Sequence, residues 1–463
     1  MGNGFREERD SVGTMMVPAD AYYGVQSMRA RENFLISGKL AHPELVKGLV
    51  EVKIAAAITN AEAGVISKEI KDAIVKAGNE VLSGKYVDNF VVDAIQGGAG
   101  TSLNMNANEV LANRAIEILG GNKGDYSIVH PNDHVNCGQS TNDAYPSAGK
   151  IAIIRLLVQA CEELKRLESA LQKKAQEFKG VVKMGRTEMQ DAIPMSLGQS
   201  FGAFAKAVGR DIKRFYTAVE TMSVLNMGGT AIGTGMNAEK QYIEKIVSNI
   251  SDITGLQLRQ AEDLIDATQN LDDFAYVSGI IKSCAVNLSK MSNDLRLMSS
   301  GPRAGFAEIT LPARQNGSSI MPGKVNPVMP EVMSQICFNI IGNDTTVTMA
   351  AEAGQLELNA FEPIIFYCLF ESLDTLRNGV SAFIDYCVEG IIANEAQCKQ
   401  SVENSIGIVT ALCPYIGYTK AATIAKKALK ENKKVYDVLL EENVMPQKEL
   451  DEIFDKVIAD LIG

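Results

Sequence analysis

The sequence has little of the chemistry that zinc enzymes use. It contains no tryptophan and only three histidines, His42, His130 and His134. His130 and His134 have the i, i+4 spacing of a helical metal pair, but Pro131 lies between them and no H-E-x-x-H pattern follows. We therefore predict no metal site built from these residues.

The cysteines are not arranged for a disulfide framework either. Eight are scattered along the chain, and none forms a C-x-x-C pair. Several fall on the apolar positions of helical patterns, which is typical of reduced core thiols. The N-terminus is polar and lacks the apolar core of a secretion signal. These features predict a cytoplasmic protein.

Two classes of partner are disfavoured by what is missing. No apolar run approaches the length that spans a bilayer. Lysine and arginine form no concentrated block, and the formal net charge is −11. We therefore expect neither nucleic acid nor a membrane as a partner. Any anionic substrate would have to be held by local donors and cations.

Alternating strand patterns are scarce, and apolar residues instead recur every three or four positions over long stretches. Such runs start near Ile151, Leu197 and Leu271, and two more are predicted at about 328–356 and 363–392. They predict a mainly α protein with a central bundle of five long helices. An elongated bundle rarely covers all its apolar surface, which predicts an oligomer.

The remainder of the chain has shorter patterns. Residues 1–40 are predicted to be irregular and 44–120 to form several short helices. A chain of 463 residues is longer than one hydrophobic core ordinarily serves. We predict three domains, with boundaries at 1–140, 141–392 and 393–463.

Four polar stretches that contain glycine interrupt the helical pattern. They are Gly100-Thr101-Ser102, Gly138–Asp143, Gly185–Asp191 and Gly317–Pro327. At least two precede predicted helix starts, where unpaired N–H groups favour anions. Each one alone could be a cap or a turn, because Ser, Thr, Asn and Asp are ordinary capping residues. Together their neutral donors suggest a pocket for a small carboxylate.

The last of these stretches reads G-S-S-I-M-P-G-K-V-N-P. Glycine frees the backbone and proline fixes it, so such a loop can swing as a unit. It would then present two hydroxyls, backbone N–H groups, Lys324 and Asn326 to one small anion. A plain turn between two helices is the simpler alternative.

This loop resembles the mobile loop of the aspartase/fumarase superfamily. The other three stretches fall where that family has its active-site segments, in the same order, and the likeness runs through nearly the whole chain. Pro18–Val25, Thr141–Pro146 and Asn326–Val332 are most similar to the ammonia-lyase branch. The resemblance implies three mostly helical domains, a mobile loop at 315–328, and central bundles that form a twenty-helix core in a homotetramer. It also implies active sites shared by three subunits.

The implied reaction is reversible deamination of L-aspartate to fumarate, with removal of the C3 proton and an aci-carboxylate intermediate. The family match makes Ser318 the general base. The residues that it implies for substrate binding are Thr101, Ser140, Thr141, Asn142, Thr187, Glu188, Ser319, Met321, Lys324 and Asn326. Thr101, Ser140, Thr141 and Ser319 would hold the carboxylate that becomes doubly charged. Thr187, Lys324 and Asn326 would hold the α-carboxylate, and Asn142 with Thr101 would contact the amino group.

Glu188 departs from the family pattern, where His or Gln stands. Its carboxylate could pair with the substrate ammonium, or it could turn away and pair with Arg186 or another cation. His130, Asn132 and Asp133 resemble the second dicarboxylate site of fumarases, although use of His130 at a helix start explains it equally well. No cofactor is implied, and activation by a divalent metal such as Mg²⁺ cannot be located from the sequence.

Three other functions stay open at this point. They are a fumarase-type hydratase, a lyase for N-substituted aspartates, and a helical scaffold without activity. The presence of Ser318, Thr187, Lys324 and Asn326 argues against the scaffold.

Overall fold

The computed structural model describes residues 4–462 and is mainly helical, as predicted. The α-helices are α1 (Val25–Asn33), α2 (Pro43–Glu62), α3 (Lys68–Leu82), α4 (Thr101–Ile118), α5 (Thr141–Glu177), α6 (Leu197–Met222), α7 (Lys240–Thr254), α8 (Asp266–Gln269), α9 (Asp272–Met298), α10 (Val328–Glu352), α11 (Glu362–Tyr386), α12 (Glu395–Asn404), α13 (Cys413–Ile416), α14 (Tyr418–Glu431), α15 (Val435–Glu441) and α16 (Gln447–Ile462). A π-helical turn spans Pro131–Val135, and 3₁₀ turns span Val87–Asn89, Val388–Gly390 and Ile406–Leu412.

The strands are short and form two-stranded pairs. They are β1 (Phe5–Arg9), β2 (Thr14–Pro18), β3 (Val182–Thr187), β4 (Gln190–Ser196), β5 (Val224–Leu225), β6 (Arg259–Gln260), β7 (Ile309–Thr310) and β8 (Ile392–Ala393). β1 and β2, β3 and β4, and β7 and β8 pair antiparallel, whereas β5 and β6 pair parallel.

The five long helices predicted from apolar periodicity are confirmed as α5, α6, α9, α10 and α11. In α9 the residues of the predicted apolar face, among them Phe274, Val277, Ile281 and Leu288, are buried. The sequence pattern placed the start of α5 too late. The helix begins at Thr141, and Pro146 lies within its second turn, where its missing N–H removes little of the hydrogen-bond ladder.

Two sequence predictions were wrong in detail. Residues 1–40 are not wholly irregular, because they hold the β1–β2 hairpin and α1. The stretch Gly185–Asp191 is not a loop before a helix but part of the β3–β4 hairpin. Thr187 and Asp191 are therefore strand residues and not helix caps.

The chain divides into two compact units. The first comprises Met1–Ala160, Lys213–Ser283 and Asn339–Thr375, and the second comprises Cys161–Ile212, Cys284–Phe338 and Leu376–Gly463. In the first unit α2 packs against α3 and α7, and α4 packs against α1 and α3. In the second unit a buried cluster that includes Met184, Val409, Val438 and Leu450 joins the β3–β4 hairpin to the C-terminal helices. The three-domain division stays a prediction.

None of the helices in residues 4–462 combines the length and the apolar character that crossing a bilayer requires. All eight cysteines are thiols, and six of them are buried.

Candidate active site

The first predicted segment is held at the start of α4 by a tight glycine turn. Gly98 and Gly100 have φ of +86° and +87°, which favours glycine. A Cβ on Gly100 would lie 2.5 Å from the ring of Tyr145, so the backbone passes this ring where no side chain fits. The turn places Thr101 at the first position of α4, exposed on the surface of the single chain.

The second segment forms a capping box at the start of α5. Ser140 Oγ accepts a hydrogen bond from the N–H of Asn142 at 3.2 Å, and Asp143 Oδ1 accepts from the N–H of Ser140 at 2.9 Å. The capping role that the sequence offered as the simpler explanation is therefore real for Ser140. Asn142 Nδ2 donates to the carbonyl oxygen of Ala231 at 2.8 Å.

Asp143 ties this helix start to the chain around residue 230. Its Oδ2 accepts from the N–H groups of Gly228 at 3.2 Å and Thr230 at 3.0 Å. Burial raises the pKa of Asp143 to about 6, against the lowering effect of these N–H donors and of Lys53. The segment Ser140–Asn142 is thus fixed from behind by a buried carboxylate.

A polar cavity of about 540 Å³ in the first unit joins two sites that the sequence treated separately. Thr101 and Ser102 line it together with His130 and Asn132. Asp133 is not among the lining residues; its carboxylate is exposed and lies 3.4 Å from His130 Nδ1. Thr101 of the predicted first site and two residues of the predicted second site therefore share one cavity.

The cavity also has residues that the sequence analysis missed. Arg29 lines it and pairs with Asp10 through Nε at 2.8 Å. Glu109 lines it from a fully buried position, where it accepts from the N–H groups of Gly24, Gln26 and Ser27. No motif of the sequence marked these groups; the contacts of Glu109 join segments about 80 residues apart.

His130 has a structural role at the π-helical turn. Its Nδ1 accepts from the N–H groups of Asn132 at 3.2 Å and Asp133 at 3.1 Å. His134 Nδ1 accepts from the N–H of His130 at 2.8 Å, and burial lowers the pKa of His134. Among the residues whose side chains the structure describes, no cluster of three His, Cys, Asp or Glu is placed to hold a metal ion.

The third segment lies at the tip of the β3–β4 hairpin in the second unit. Thr187 pairs with Gln190, so Glu188 and Met189 form a two-residue turn. Both have left-handed backbones, with φ of +52° and +66°. Such turns usually contain Asn and Gly, and each non-glycine residue in this region costs about 1–3 kcal/mol. The turn leaves Thr187 and Glu188 exposed in the single chain.

A buried carboxylate anchors this hairpin. Glu308 is fully buried, its Oε1 accepts from Arg186 Nη1, and its Oε2 lies 3.0 Å from Lys183 Nζ. The Arg186 guanidinium also lies over the ring of Phe306. Arg186 is thus committed to Glu308, and the suggested pairing of Glu188 with Arg186 is wrong. Among the described residues Glu188 has no ion-pair partner.

The fourth segment is an exposed loop that closes on itself. The N–H of Gly317 donates to the carbonyl of Lys324 at 2.9 Å, and Asn326 Nδ2 donates to the carbonyl of Gly317 at 2.7 Å. Ser318 Oγ accepts from the N–H groups of Ile320 at 3.2 Å and Met321 at 3.1 Å. Two backbone donors therefore converge on this one hydroxyl oxygen.

The predicted site residues thus form two groups. The first unit holds Thr101, Ser140, Thr141 and Asn142, together with His130, Asn132 and Asp133. The second unit holds Thr187, Glu188, Ser318, Ser319, Met321, Lys324 and Asn326. Neither group alone contains both the hydroxyls of the helix starts and the loop with its lysine.

Known proteins match this sequence over nearly the whole chain. Residues 13–342 match a family model described as lyase, and residues 408–457 match one described as fumarase C C-terminus. The chain is 51% identical over 455 residues to an aspartate ammonia-lyase of a Bacillus species, covering 98% of this chain and 97% of the relative. It is 50% identical over 457 residues to the aspartate ammonia-lyase of Escherichia coli K12, covering 98% and 96%.

Solved structures have the same fold. A fumarate lyase:delta crystallin from Brucella melitensis, determined bound to cobalt, aligns with a TM-score of 0.96 and 46% identity over 99% of this chain and all of that chain. A class II fumarase from Schistosoma mansoni aligns with a TM-score of 0.94 and 36% identity over 97% of this chain and 98% of that chain. The mainly α aspartase/fumarase fold that the resemblance implied is confirmed.

Proposed function

The chain belongs to the lyase family of the aspartase/fumarase superfamily, and on this premise we propose that it is a carbon–nitrogen lyase that deaminates L-aspartate reversibly to fumarate and ammonia. The observation that carries this function is the likeness along the full length to aspartate ammonia-lyases at about half of all positions. The class II fumarase is similar at 36% of positions, so ammonia is favoured over water as the leaving group.

The difficult step is removal of a proton from C3, next to a carboxylate. It creates an aci-carboxylate with two negative charges, and preorganised donors lower the barrier to such a species. We assign Thr101, Ser140, Thr141 and Ser319 to this carboxylate. The start of α5 supports the assignment, because it presents Ser140 and Thr141 where backbone N–H groups also favour an anion.

Ser318 is the proposed base. A serine hydroxyl removes a proton only as an alkoxide, which needs stabilisation by donors and a dry site. The N–H groups of Ile320 and Met321 already point at Ser318 Oγ within 3.2 Å. Lys324 on the same loop supplies a nearby positive charge. The loop thus supports the base role with its own backbone.

The α-carboxylate is assigned to Lys324, Asn326 and Thr187, with Met321 beside them. Asn326 Nδ2 is used within the loop by Gly317, so we assign its second N–H to the substrate. Asn142 and Thr101 would contact the amino group. Glu188 carries a carboxylate without a cation among the described residues, and we assign it to the substrate ammonium. Glu188 would then select aspartate over a dicarboxylate without an amine.

We further propose a homotetramer whose active sites combine segments of three subunits. Single-chain exposure of apolar side chains on the long helices supports this, with Tyr276, Val286, Phe338 and Met349 each more than half exposed. The exposure of Thr101, Thr187, Glu188 and Ser319 is explained in the same way. Each of these residues would be enclosed by neighbouring subunits.

Three further proposals concern the setting of the enzyme. The reaction is an elimination without net oxidation or reduction, so it needs no redox cofactor. Activation by Mg²⁺ would act from a site outside the assigned residues. The thiols are those of a protein that works in the cytoplasm. A second dicarboxylate site is assigned to His130 and Asn132, which line the shared cavity, and to the exposed Asp133 beside His130.

The experiment follows the ultraviolet absorbance of fumarate with a panel of substrates. L-aspartate, L-malate and an N-substituted aspartate are each supplied to the purified protein, with and without Mg²⁺. We expect absorbance to rise with L-aspartate. A rise with L-malate alone would mean that the protein is a hydratase. A rise with the N-substituted aspartate alone would mean that it is a lyase for N-substituted aspartates. No rise with any substrate would mean that it is a scaffold without activity.

A further inference from the structure

Lys53 is a buried lysine in the first unit with no place in the proposed reaction. It lies on α2 and is fully buried. Its Nζ donates to Asn136 Oδ1 at 2.8 Å and to Gln139 Oε1 at 2.9 Å. Burial lowers the pKa of Lys53 to about 7, but the charged and the neutral amine both have the two N–H donors that these contacts use, so both amides turn their oxygens toward it. Asn136 and Gln139 lie directly before the capping box at Ser140.

The oriented oxygen of Asn136 in turn orients two further amides. Asn104 Nδ2 donates to it at 3.1 Å and Asn108 Nδ2 at 3.2 Å. A flipped Asn104 would place oxygen against oxygen. The position of Lys53 therefore decides which end of the Asn104 side chain faces inward.

Asn104 passes this orientation to a predicted substrate ligand. Its Nδ2 also donates to Thr141 Oγ1 at 3.1 Å. The oxygen of Thr141 is thus an acceptor on the inner side, and the hydroxyl proton must be given to something else. The hydrogen bonds described for residues 4–462 provide no acceptor for that proton.

The arrangement has a cost in stability that a purely structural network would avoid. Asn104 Oδ1 and Asn108 Oδ1 are buried and have no hydrogen-bond partner among the described residues. Turning Asn104 over would let its oxygen accept from Thr141, yet Asn136 and Lys53 prevent this. These two buried oxygens without partners lie near Thr141, a residue proposed to bind the substrate. Their cost indicates that the amide orientation is kept for a functional reason.

We propose that Lys53 is a positioning residue that, through Asn136 and Asn104, directs the hydroxyl proton of Thr141 toward the substrate carboxylate. The inference rests on the proposed function, in which Thr141 binds this carboxylate. Lys53 touches no substrate. It sets the direction of a chain of hydrogen bonds whose last proton meets the negative charge that grows in the reaction.

The test is a double-mutant cycle with Lys53→Met and Asn104→Leu. Lys53→Met removes the donor, and we expect kcat with L-aspartate to fall about 10- to 100-fold. Asn104→Leu should cost a similar factor. Because both variants break the same chain, the double variant should lose no more than the worse single variant. Losses that multiply, or a kcat for Lys53→Met within about twofold of wild type, would overturn the proposal.

A matched control is Lys174→Met in the second unit. Lys174 is also buried and donates to the carbonyl of Ile391 at 2.8 Å, but it has no link to Thr141. Its loss should lower thermal stability and leave kcat within about twofold. A fall in kcat like that of Lys53→Met would show that losing any buried lysine is harmful, and would overturn the proposal.

Two additions keep the test decisive. If Lys53→Met does not assemble, Asn104→Asp takes its place, because a carboxylate can only accept from Thr141 and reverses the chain without a change in volume. An Asn104→Asp enzyme as active as wild type would overturn the proposal. If wild type forms no fumarate from L-aspartate, the proposed function has failed, and calorimetric binding of succinate to the same variants becomes the readout of the cycle.

Discussion

The side-chain amide of Asn326 donates to the carbonyl oxygen of Gly317 across 2.7 Å and closes the loop that carries Ser318. The N–H of Gly317 also bonds the carbonyl of Lys324 at 2.9 Å. A residue predicted to bind substrate thus also shapes the loop. The two ends of the loop are joined at a glycine, so its middle can move as one piece.

Gly317→Ala tests this closure. A Cβ at Gly317 would lie 2.2 Å from the carbonyl oxygen of Lys324, so the loop must open. We expect kcat with L-aspartate to fall by about 100-fold with little change in melting temperature, since the loop is exposed.

Gly323→Ala is the control for this variant. Gly323 has φ of +80° and open space around its Cβ position, so alanine adds only backbone strain of roughly 1–2 kcal/mol. It should keep most of its activity. Equal kcat values for the two variants would show that the closure at Gly317 is irrelevant to turnover.

Glu188→Gln tests the ammonium assignment. A hydrogen bond to a charged group contributes about 1.5–3 kcal/mol, so KM for L-aspartate should rise about tenfold or more. Preference for aspartate over malate should fall. Steady-state kinetics with both substrates measure this, with Glu389→Gln, an exposed carboxylate in the same unit, as the control. Unchanged KM and kcat would end the ammonium role.

Glu109→Gln tests the buried carboxylate of the cavity through its pH dependence. Burial raises the pKa of Glu109 from 4.5 to about 7, although hydrogen bonds from Ser27, Gln26 and Gly24 lower it. Between pH 4.5 and about pH 7, Glu109 keeps its proton in the folded protein but has lost it in the unfolded chain. The free energy of unfolding therefore falls as pH rises through this range. The Gln variant lacks this term.

We expect the difference in the free energy of unfolding between wild type and Glu109→Gln to change with pH. The free energy of unfolding of wild type, less that of Glu109→Gln, should fall by about 3 kcal/mol from below pH 4.5 to above pH 7. Urea unfolding at one protein concentration across this range measures it. Parallel stability curves would mean that Glu109 keeps its ordinary pKa when folded.

The helices could be predicted because their apolar residues recur every three or four positions along the sequence. α6 and α9 follow such patterns almost residue by residue. The β3–β4 hairpin was missed because Glu188 and Met189 are unusual in a two-residue turn. Glu308, more than 100 positions away, anchors the hairpin through Arg186, and no local pattern reports such a contact.

The motifs of the sequence predicted the residues of the site, but not the residues that hold them in place. Ser140 and Ser318 stand in recognisable stretches, and their hydroxyls accept the backbone N–H groups found there. The polar groups behind Thr141 are different. Lys53 lies in an apolar helical run, where a single lysine gives no sign that it is buried and bonded to a segment more than 80 residues away.

Fumarate formation by wild type and Ser318→Ala, measured side by side with L-aspartate, tests the central claim most directly. Both proteins should have the same assembly state by light scattering, because Ser318 lies on an exposed loop. Absorbance should rise with wild type and stay flat with Ser318→Ala, since alanine has no oxygen to take the C3 proton. Near-normal turnover by Ser318→Ala, or no fumarate from wild type, would contradict the account.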